Sequence, residues 1–199
     1  FCSGHDFSGL GEKNLPQLRR IFRMSLRIIE TITTMSKPVI AAVHGYASAM
    51  GCALATGCDL AVAADSALFQ LPGVNLGIAC ISPAAVISRS MGRKKCLELL
   101  LTGDAISAGE AEKAGLVNRV VPLEKLDDAV MELAEKLAGK APLALELGKQ
   151  AFYTMLDMGQ GQAYSYAAEM ISINADTEDG KEGVASFMEK RKPRPWQGR

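Results

Sequence analysis

The sequence predicts an α/β fold followed by an all-helical region, and three observations carry that prediction. Residues 39–43 form a continuous apolar run, which is typical of a strand buried on both faces. Short strand-like and helix-like segments alternate from there to Pro122, and this alternation favours parallel β-α-β units. From Leu123 onward only helical periodicity remains. We therefore expect an α/β core over residues 1–122 and a helical region over residues 123–199.

Each predicted element follows from a local pattern. Before the first strand, apolar residues recur at helical spacing from Leu18 to Ile32, with arginines mostly on the other face. Ser107 followed by Glu110 predicts a capping box at the start of a helix. The remaining segments are predicted as helices near 51–57 and over 83–91, 93–101, 162–174 and 180–190, and as strands over 59–63, 67–70 and 116–121.

Composition narrows the function classes. The chain has 199 residues, of which 48% are hydrophobic and 22% charged, and its formal net charge is zero. A balanced charge gives no reason to expect nucleic-acid or anionic-membrane binding. No apolar run reaches the ~18–20 residues that a membrane span needs. The chain has five cysteines whose spacing shows no paired pattern, namely Cys2, Cys52, Cys58, Cys80 and Cys96. We therefore expect reduced thiols, and neither a disulfide framework nor a metal site.

Two tight turns of small residues are the strongest functional signals. Gly4 lets the chain turn sharply after a strand and presents the backbone N–H of His5. The segment 47–53 begins a helix, whose first N–H groups lack intrahelical partners. Two such N–H groups converging on one carbonyl oxygen form an oxyanion hole. An ordinary strand-end turn at Gly4 and close helix–sheet packing at 47–53 remain the alternatives.

Side-chain chemistry is sparse. The chain has two histidines, and nothing in the spacing of His44 supports a Ser/His/Asp triad. Cys52 and Cys80 have no evident basic neighbour to activate them, so we expect buried packing roles. Neither a G-x-G-x-x-G motif nor the Gly-Lys-Ser/Thr ending of a phosphate loop occurs, which excludes nucleotide binding by those routes.

Taken together, three segments resemble the signatures of the crotonase superfamily, the enoyl-CoA hydratase/isomerase family: F-C-S-G-H-D-F at 1–7, K-P-V-I-A-A-V-H-G-Y-A at 37–47, and G-C followed by C-D-L-A within 51–61. The resemblance covers the whole chain, and the family's opening strands are expected to precede Phe1. It implies a crotonase-like β/α spiral core and a C-terminal helical trimerisation region. It also implies an acyl-CoA thioester substrate, with coenzyme A part of that substrate and no cofactor bound permanently.

The same resemblance implies roles for individual residues. The backbone N–H groups of His5 and Met50 would form the oxyanion hole. Substrate contacts are implied for Ser3, Asp6, Phe7, Gly51, Ala53, Gly73 and Ile81, and no metal ligand is implied. The family's proton-moving acids do not carry over. Ala53 and Gly73 stand at the two hydratase glutamate positions, and Ile81 at an aspartate position of dienoyl-CoA isomerases.

Because Ala, Gly and Ile cannot move protons, the resemblance implies stabilisation of a thioester enolate and disfavours classical hydration. Decarboxylation and non-catalytic acyl-CoA binding are the alternatives. The segment P-G-V-N with Cys80-Ile81-Ser82-Pro83 is similar to a divergent subgroup, the enoyl-CoA hydratase domain-containing protein 3 type. Expected partners are an acyl-CoA and further copies in a homotrimer or hexamer. A bacterial protein of this kind would be cytoplasmic and a eukaryotic one would lie in the mitochondrial matrix.

Overall fold

The structure is a computed structural model that describes residues 1–199. Nine α-helices are present: α1 Leu15–Thr34, α2 Met50–Gly57, α3 Ile81–Ile87, α4 Arg93–Thr102, α5 Ala108–Lys113, α6 Leu126–Ala138, α7 Pro142–Met155, α8 Gln160–Asp176 and α9 Glu178–Met188. The strands are β1 Ile40–Val43, β2 Tyr46–Ser48, β3 Leu60–Ala64, β4 Leu68–Gln70, β5 Ile106–Ser107 and β6 Arg119–Val121. Short 3-10 helices cover Leu10–Glu12, Pro72–Leu76 and Leu123–Lys125.

The strands form two three-stranded sheets. In the first, β3 lies between β1 and β6 and runs parallel to both. In the second, β4 runs parallel to β2 and antiparallel to β5. The predicted parallel pairing is therefore confirmed, apart from β5. That strand has two residues, too few for any periodicity to be read from the sequence.

Two element boundaries differ from the sequence prediction for identifiable reasons. Helix α3 begins at Ile81, two residues early, because Pro83 is tolerated in a first turn that needs no N–H donor. The predicted strand 116–121 pairs only from Arg119. Leu116 instead donates its N–H to the carbonyl of Ala111, closing the end of α5, and its apolar side chain packs in the core.

The capping box at Ser107 is confirmed. The Glu110 N–H donates to Ser107 Oγ at 3.3 Å, and the Ser107 N–H donates to Glu110 Oε2 at 2.9 Å. These bonds satisfy two backbone donors that the helix itself leaves unpaired, so the local sequence is sufficient to fix the start of α5.

Contacts divide the chain into two compact units. The first unit comprises Phe1–Ile32 and Val39–Glu132, and the second comprises Thr33–Pro38 and Leu133–Arg199. Small side chains dominate the core of the first unit, where the larger fully buried ones are Phe69, Leu71, Ile87, Leu99, Val43 and Val62. Small residues let backbones approach closely, and this property positions the site described below.

The second unit contains helices α7, α8 and α9, which pack against one another. Its tail is fastened by Asp179, whose carboxylate accepts the Gln197 N–H at 2.7 Å and the Gly198 N–H at 2.8 Å. Trp196 Nε1 also donates to the carbonyl of Gly139 at 3.1 Å. A trimerisation role for residues 123–199 stays a prediction. None of the helices combines the length and the apolar character that a bilayer crossing requires.

Candidate active site

The turn at Gly4 lies against the start of α2. Cys2 fastens it, because its N–H donates to the Tyr46 carbonyl at 3.0 Å and its carbonyl accepts the Ser48 N–H at 2.9 Å. Gly4 has a φ of +95°, and a Cβ built there would lie 3.2 Å from the backbone nitrogen of Met50. Glycine is therefore needed twice, for its dihedral angle and for its closeness to Met50.

Gly51 allows a still closer approach. A Cβ at this position would stand 2.0 Å from the carbonyl oxygen of Cys2, well inside any tolerable contact. The first turn of α2 consequently presses directly on the backbone that leads into the Gly4 turn. The sequence interpretation, in which two small-residue turns meet, agrees with this geometry.

Ala49 precedes α2 in an unusual conformation. Its φ of 50° and ψ of −118° lie where a residue with a Cβ is rarely found. Its N–H donates to the Gln70 carbonyl at 2.9 Å, and its own carbonyl accepts the N–H groups of Cys52 and Ala53. The strand pairing of β2 and β4 therefore holds the peptide that leads into Met50.

Several backbone donors are left over at this junction. Among them, the N–H of His5 and the N–H of Met50 donate to no acceptor within the chain. For Met50 the reason is general, since the first N–H groups of a helix have no intrahelical carbonyl to reach. For His5 the reason is the sharp turn at Gly4, which carries the chain away from the Cys2–Ala47 pairing.

A cavity of about 210 Å³ opens beside these donors, lined by His5, Phe7, Phe22, Ala49, Gly73 and residues 78–83. It brings together four of the sequence-predicted site residues, namely His5, Phe7, Gly73 and Ile81. The other five do not line it. Ser3 and Asp6 are exposed, while Met50, Gly51 and Ala53 are buried within α2.

The His5 ring packs edge-on against Phe22, with ring centroids 5.1 Å apart and an interplanar angle of 82°. Its Nε2 is buried and has no hydrogen-bond partner. Burial lowers the pKa of the imidazole below its ordinary value, so the ring is neutral at pH 7. The neighbouring Asp6 carboxylate accepts the Ser8 N–H at 2.8 Å, which lowers its pKa and makes it a turn-stabilising group.

Gly73 and Cys80 close the opposite wall. The Gly73 N–H donates to Cys80 Sγ at 3.3 Å, and burial raises the pKa of that thiol. A Cβ at Gly73 would lie 2.2 Å from the Ile78 carbonyl oxygen and 2.8 Å from the sulfur. Gly73, for which the family resemblance predicts the place of a hydratase glutamate, thus admits no side chain in this conformation.

Sequence reasoning missed Phe22, Ala49 and most of residues 78–83 as lining residues. Phe22 belongs to the same apolar stripe of α1 as Ile29 and Ile32, and periodicity cannot separate a cavity wall from a core contact. Ala49 carried a detectable signal, because it lies within the run of small residues that predicted the second turn.

A sequence model described as enoyl-CoA hydratase/isomerase matches residues 1–199. The chain belongs to this family. Within it, the chain is 38% identical to the enoyl-CoA hydratase domain-containing protein 3, mitochondrial, of Rattus norvegicus over 194 residues, which is 97% of this chain and 65% of the rat protein. The chain therefore spans slightly less than two thirds of that relative's length.

Solved structures of family members agree with the fold. An enoyl-CoA hydratase from Mycobacterium smegmatis superposes with a TM-score of 0.95 at 38% identity, covering 98% of this chain and 76% of that one. The human enoyl-CoA hydratase domain-containing protein 3 gives 0.93 at 39% identity, with 96% and 76% covered. The crotonase-like fold and the similarity to the domain-containing protein 3 type are thereby confirmed.

Proposed function

We propose that the chain binds an acyl-CoA thioester with its carbonyl oxygen between the backbone N–H groups of His5 and Met50. The observation that carries the proposal is the close approach of Gly4, the residue before His5, to the Met50 nitrogen, because neither the His5 N–H nor the Met50 N–H donates within the chain. Membership of the enoyl-CoA hydratase/isomerase family supports the choice of thioester. In this arrangement the carbonyl is polarised by two fixed dipoles, and one of them lies at the positive end of α2.

The chemistry that such a site supports is stabilisation of negative charge that develops on the thioester carbonyl oxygen. Removing one donor from an oxyanion hole typically costs about 2.7–4 kcal/mol of transition-state stabilisation, so two donors alone support substantial catalysis. The cavity lining contains no carboxyl group, and its two titratable side chains, His5 and Cys80, are neutral at pH 7. Classical hydration needs a proton donor and acceptor beyond the thioester, and the proposed function therefore excludes it as the main activity.

Infrared spectroscopy of a thioester labelled with ¹³C at the carbonyl tests this proposal. Bound butyryl-CoA should show its carbonyl stretch at lower wavenumber than the free thioester, because two hydrogen bonds weaken the C=O bond. A bound ligand whose stretch does not move would refute the oxyanion hole and favour plain acyl-CoA binding.

Two substitutions at His5 separate the backbone from the ring. H5P removes the N–H and should lose much of the carbonyl shift, whereas H5A keeps the N–H and should retain most of it. The opposite order would place the interaction on the imidazole. If the imidazole made the contact, the carbonyl shift would change as the pH falls through the pKa of His5, which lies below its ordinary value of 6.5. A carbonyl shift that does not change with pH would further support the backbone assignment.

A further inference from the structure

We infer that the cavity beside the Gly4–Met50 contact admits short, uncharged acyl groups and rejects acyl groups that end in a carboxylate, with Phe22 setting the length limit. The inference rests on the proposed function, because it names the acyl group that the proposed site takes.

The lining of the cavity is uncharged. None of its residues carries a formal charge at pH 7, and His5, its nearest approach to a cation, is half-buried and neutral. The arginines of α1, including Arg23 and Arg27, line a separate exposed groove. A carboxylate placed in the cavity would lose its water without gaining a charged partner, which is strongly unfavourable.

An uncharged lining also disfavours decarboxylation of a malonyl-type thioester. That reaction needs the ionised substrate to bind before carbon dioxide can leave, and no cationic side chain lines the cavity to hold its carboxylate. The uncharged wall thus selects among substrates and disfavours this route to an enolate.

The cavity is small, with a volume of about 210 Å³. Pockets that enclose drug-sized ligands are larger, at about 300–1,000 Å³. The cavity therefore suits a short acyl group better than a long one.

Phe22 is the residue that we assign to the closed end of the cavity. Phe22 is the α1 residue that lines the cavity, and its ring is held in place by the edge contact with His5. Ile81, by contrast, lines the cavity while remaining 71% exposed, so it belongs to the rim. Shortening Phe22 lengthens the cavity toward α1, whereas changing Ile81 alters its mouth.

Calorimetric binding to the 199-residue chain tests the charge argument. Succinyl-CoA is compared with 4-methylpentanoyl-CoA, because their acyl groups have the same size and shape and differ in the terminal carboxylate. We expect succinyl-CoA to bind at least ~100-fold more weakly. Ile81→Arg, an exposed rim substitution, should recover at least ~10-fold of the succinyl-CoA affinity. Equal binding of the two thioesters to the wild-type chain would overturn the inference.

Two thioesters of different chain length test the size limit. Hexanoyl-CoA should bind the wild-type chain more tightly than decanoyl-CoA, and Phe22→Ala should shift that preference toward decanoyl-CoA by about tenfold. Phe22→Leu serves if the alanine variant fails to fold, with a smaller shift in the same direction. The matched control is Met24→Ala on the same helix, a residue that is 54% exposed and does not line this cavity, and it should leave the preference unchanged.

Free coenzyme A separates this inference from the proposed function. If no thioester binds more tightly than coenzyme A itself, the acyl group has no site and the proposed function fails together with the inference. If thioesters bind more tightly than coenzyme A while chain length and carboxylate make no difference, only the inference fails. An unchanged preference in both Phe22 variants would remove Phe22 as the end wall.

Discussion

Helices α2 and α8 differ in the size and the burial of their apolar side chains. Seven of the eight residues of α2 are buried, and most are glycine, alanine or cysteine. None of the seventeen residues of α8 is buried, even though the helix carries large apolar side chains. Two of them, Tyr164 and Ile171, are 67% and 64% exposed. In α2, small side chains bring backbones into contact. In α8, large side chains lie on the surface, as expected of a face covered by another copy of the chain.

The largest expected effect comes from breaking the close contact at α2. Gly51→Val places a Cβ where the Cys2 carbonyl oxygen lies 2.0 Å away, so we expect a loss of about 4 kcal/mol or more in the free energy of unfolding, measured in urea. Gly148→Ala on α7 is the matched control, because no atom lies within 4 Å of its new Cβ. That variant should be neutral or slightly stabilised. Equal stability of both variants would contradict the packing argument.

A second variant places glutamate at the two positions where the family resemblance implies the hydratase glutamates. Ala53→Glu combined with Gly73→Glu should not create a hydratase, because Ala53 is fully buried and a Cβ at Gly73 meets the Ile78 carbonyl oxygen. We expect a destabilisation of about 3 kcal/mol or more and no gain in crotonyl-CoA hydration. Gly73→Ala isolates the steric part. Hydration at an ordinary enzymatic rate in the double variant would show that the wall moves aside easily.

On the α8 side the comparison predicts assembly. We expect a homotrimer or hexamer by light scattering at micromolar concentration, because exposed apolar side chains on α8 and α9 need covering. Ile171→Asp should shift the population toward monomer, while Gln162→Asp, an exposed polar site on the same helix, should not. A wild-type chain that is monomeric under these conditions would refute the covered-face explanation.

The smallest effect concerns the acid stability of α9. Hydrogen bonds from the Arg191 guanidinium and the Arg194 N–H lower the pKa of Glu182 to about 2. Because the folded state favours the ionised form, this stabilisation is complete above the unfolded value near 4.5 and is lost as the pH falls toward 2. E182Q should lower the urea midpoint at pH 7. The difference from wild type should shrink below pH 4.5, and a constant difference would contradict the assignment.

Local signals predicted the elements whose causes are local. The apolar run before His44 predicted β1, Ser107 and Glu110 predicted the start of α5, and the small residues around Gly4 and Gly51 predicted two turns that meet. Features that depend on contacts between residues far apart in sequence could not be predicted from these local patterns.

The candidate site shows where the prediction stopped. Phe22 lines a cavity because of what lies opposite it, which no stripe of α1 encodes. Gly73 looked like a missing glutamate, yet its lack of a side chain is required by the return of the chain at Ile78 and Cys80. Close approach between residues distant in sequence is a property of the assembled fold, so a single residue pattern does not reveal it.

The strained backbone of Ala49 affects when the proposed oxyanion hole can form during folding. A residue held at positive φ keeps that conformation only while its surroundings enforce it, at a cost of order 1–3 kcal/mol. Those surroundings are the Gln70 carbonyl and the strand pairing beside it, both contributed by chain about twenty residues later. A partly folded chain would relax this peptide and turn the Met50 N–H away. The carbonyl contact proposed for the Met50 N–H should therefore form in one cooperative step with β2–β4 pairing during refolding, and a fragment that ends before Gln70 should lack it.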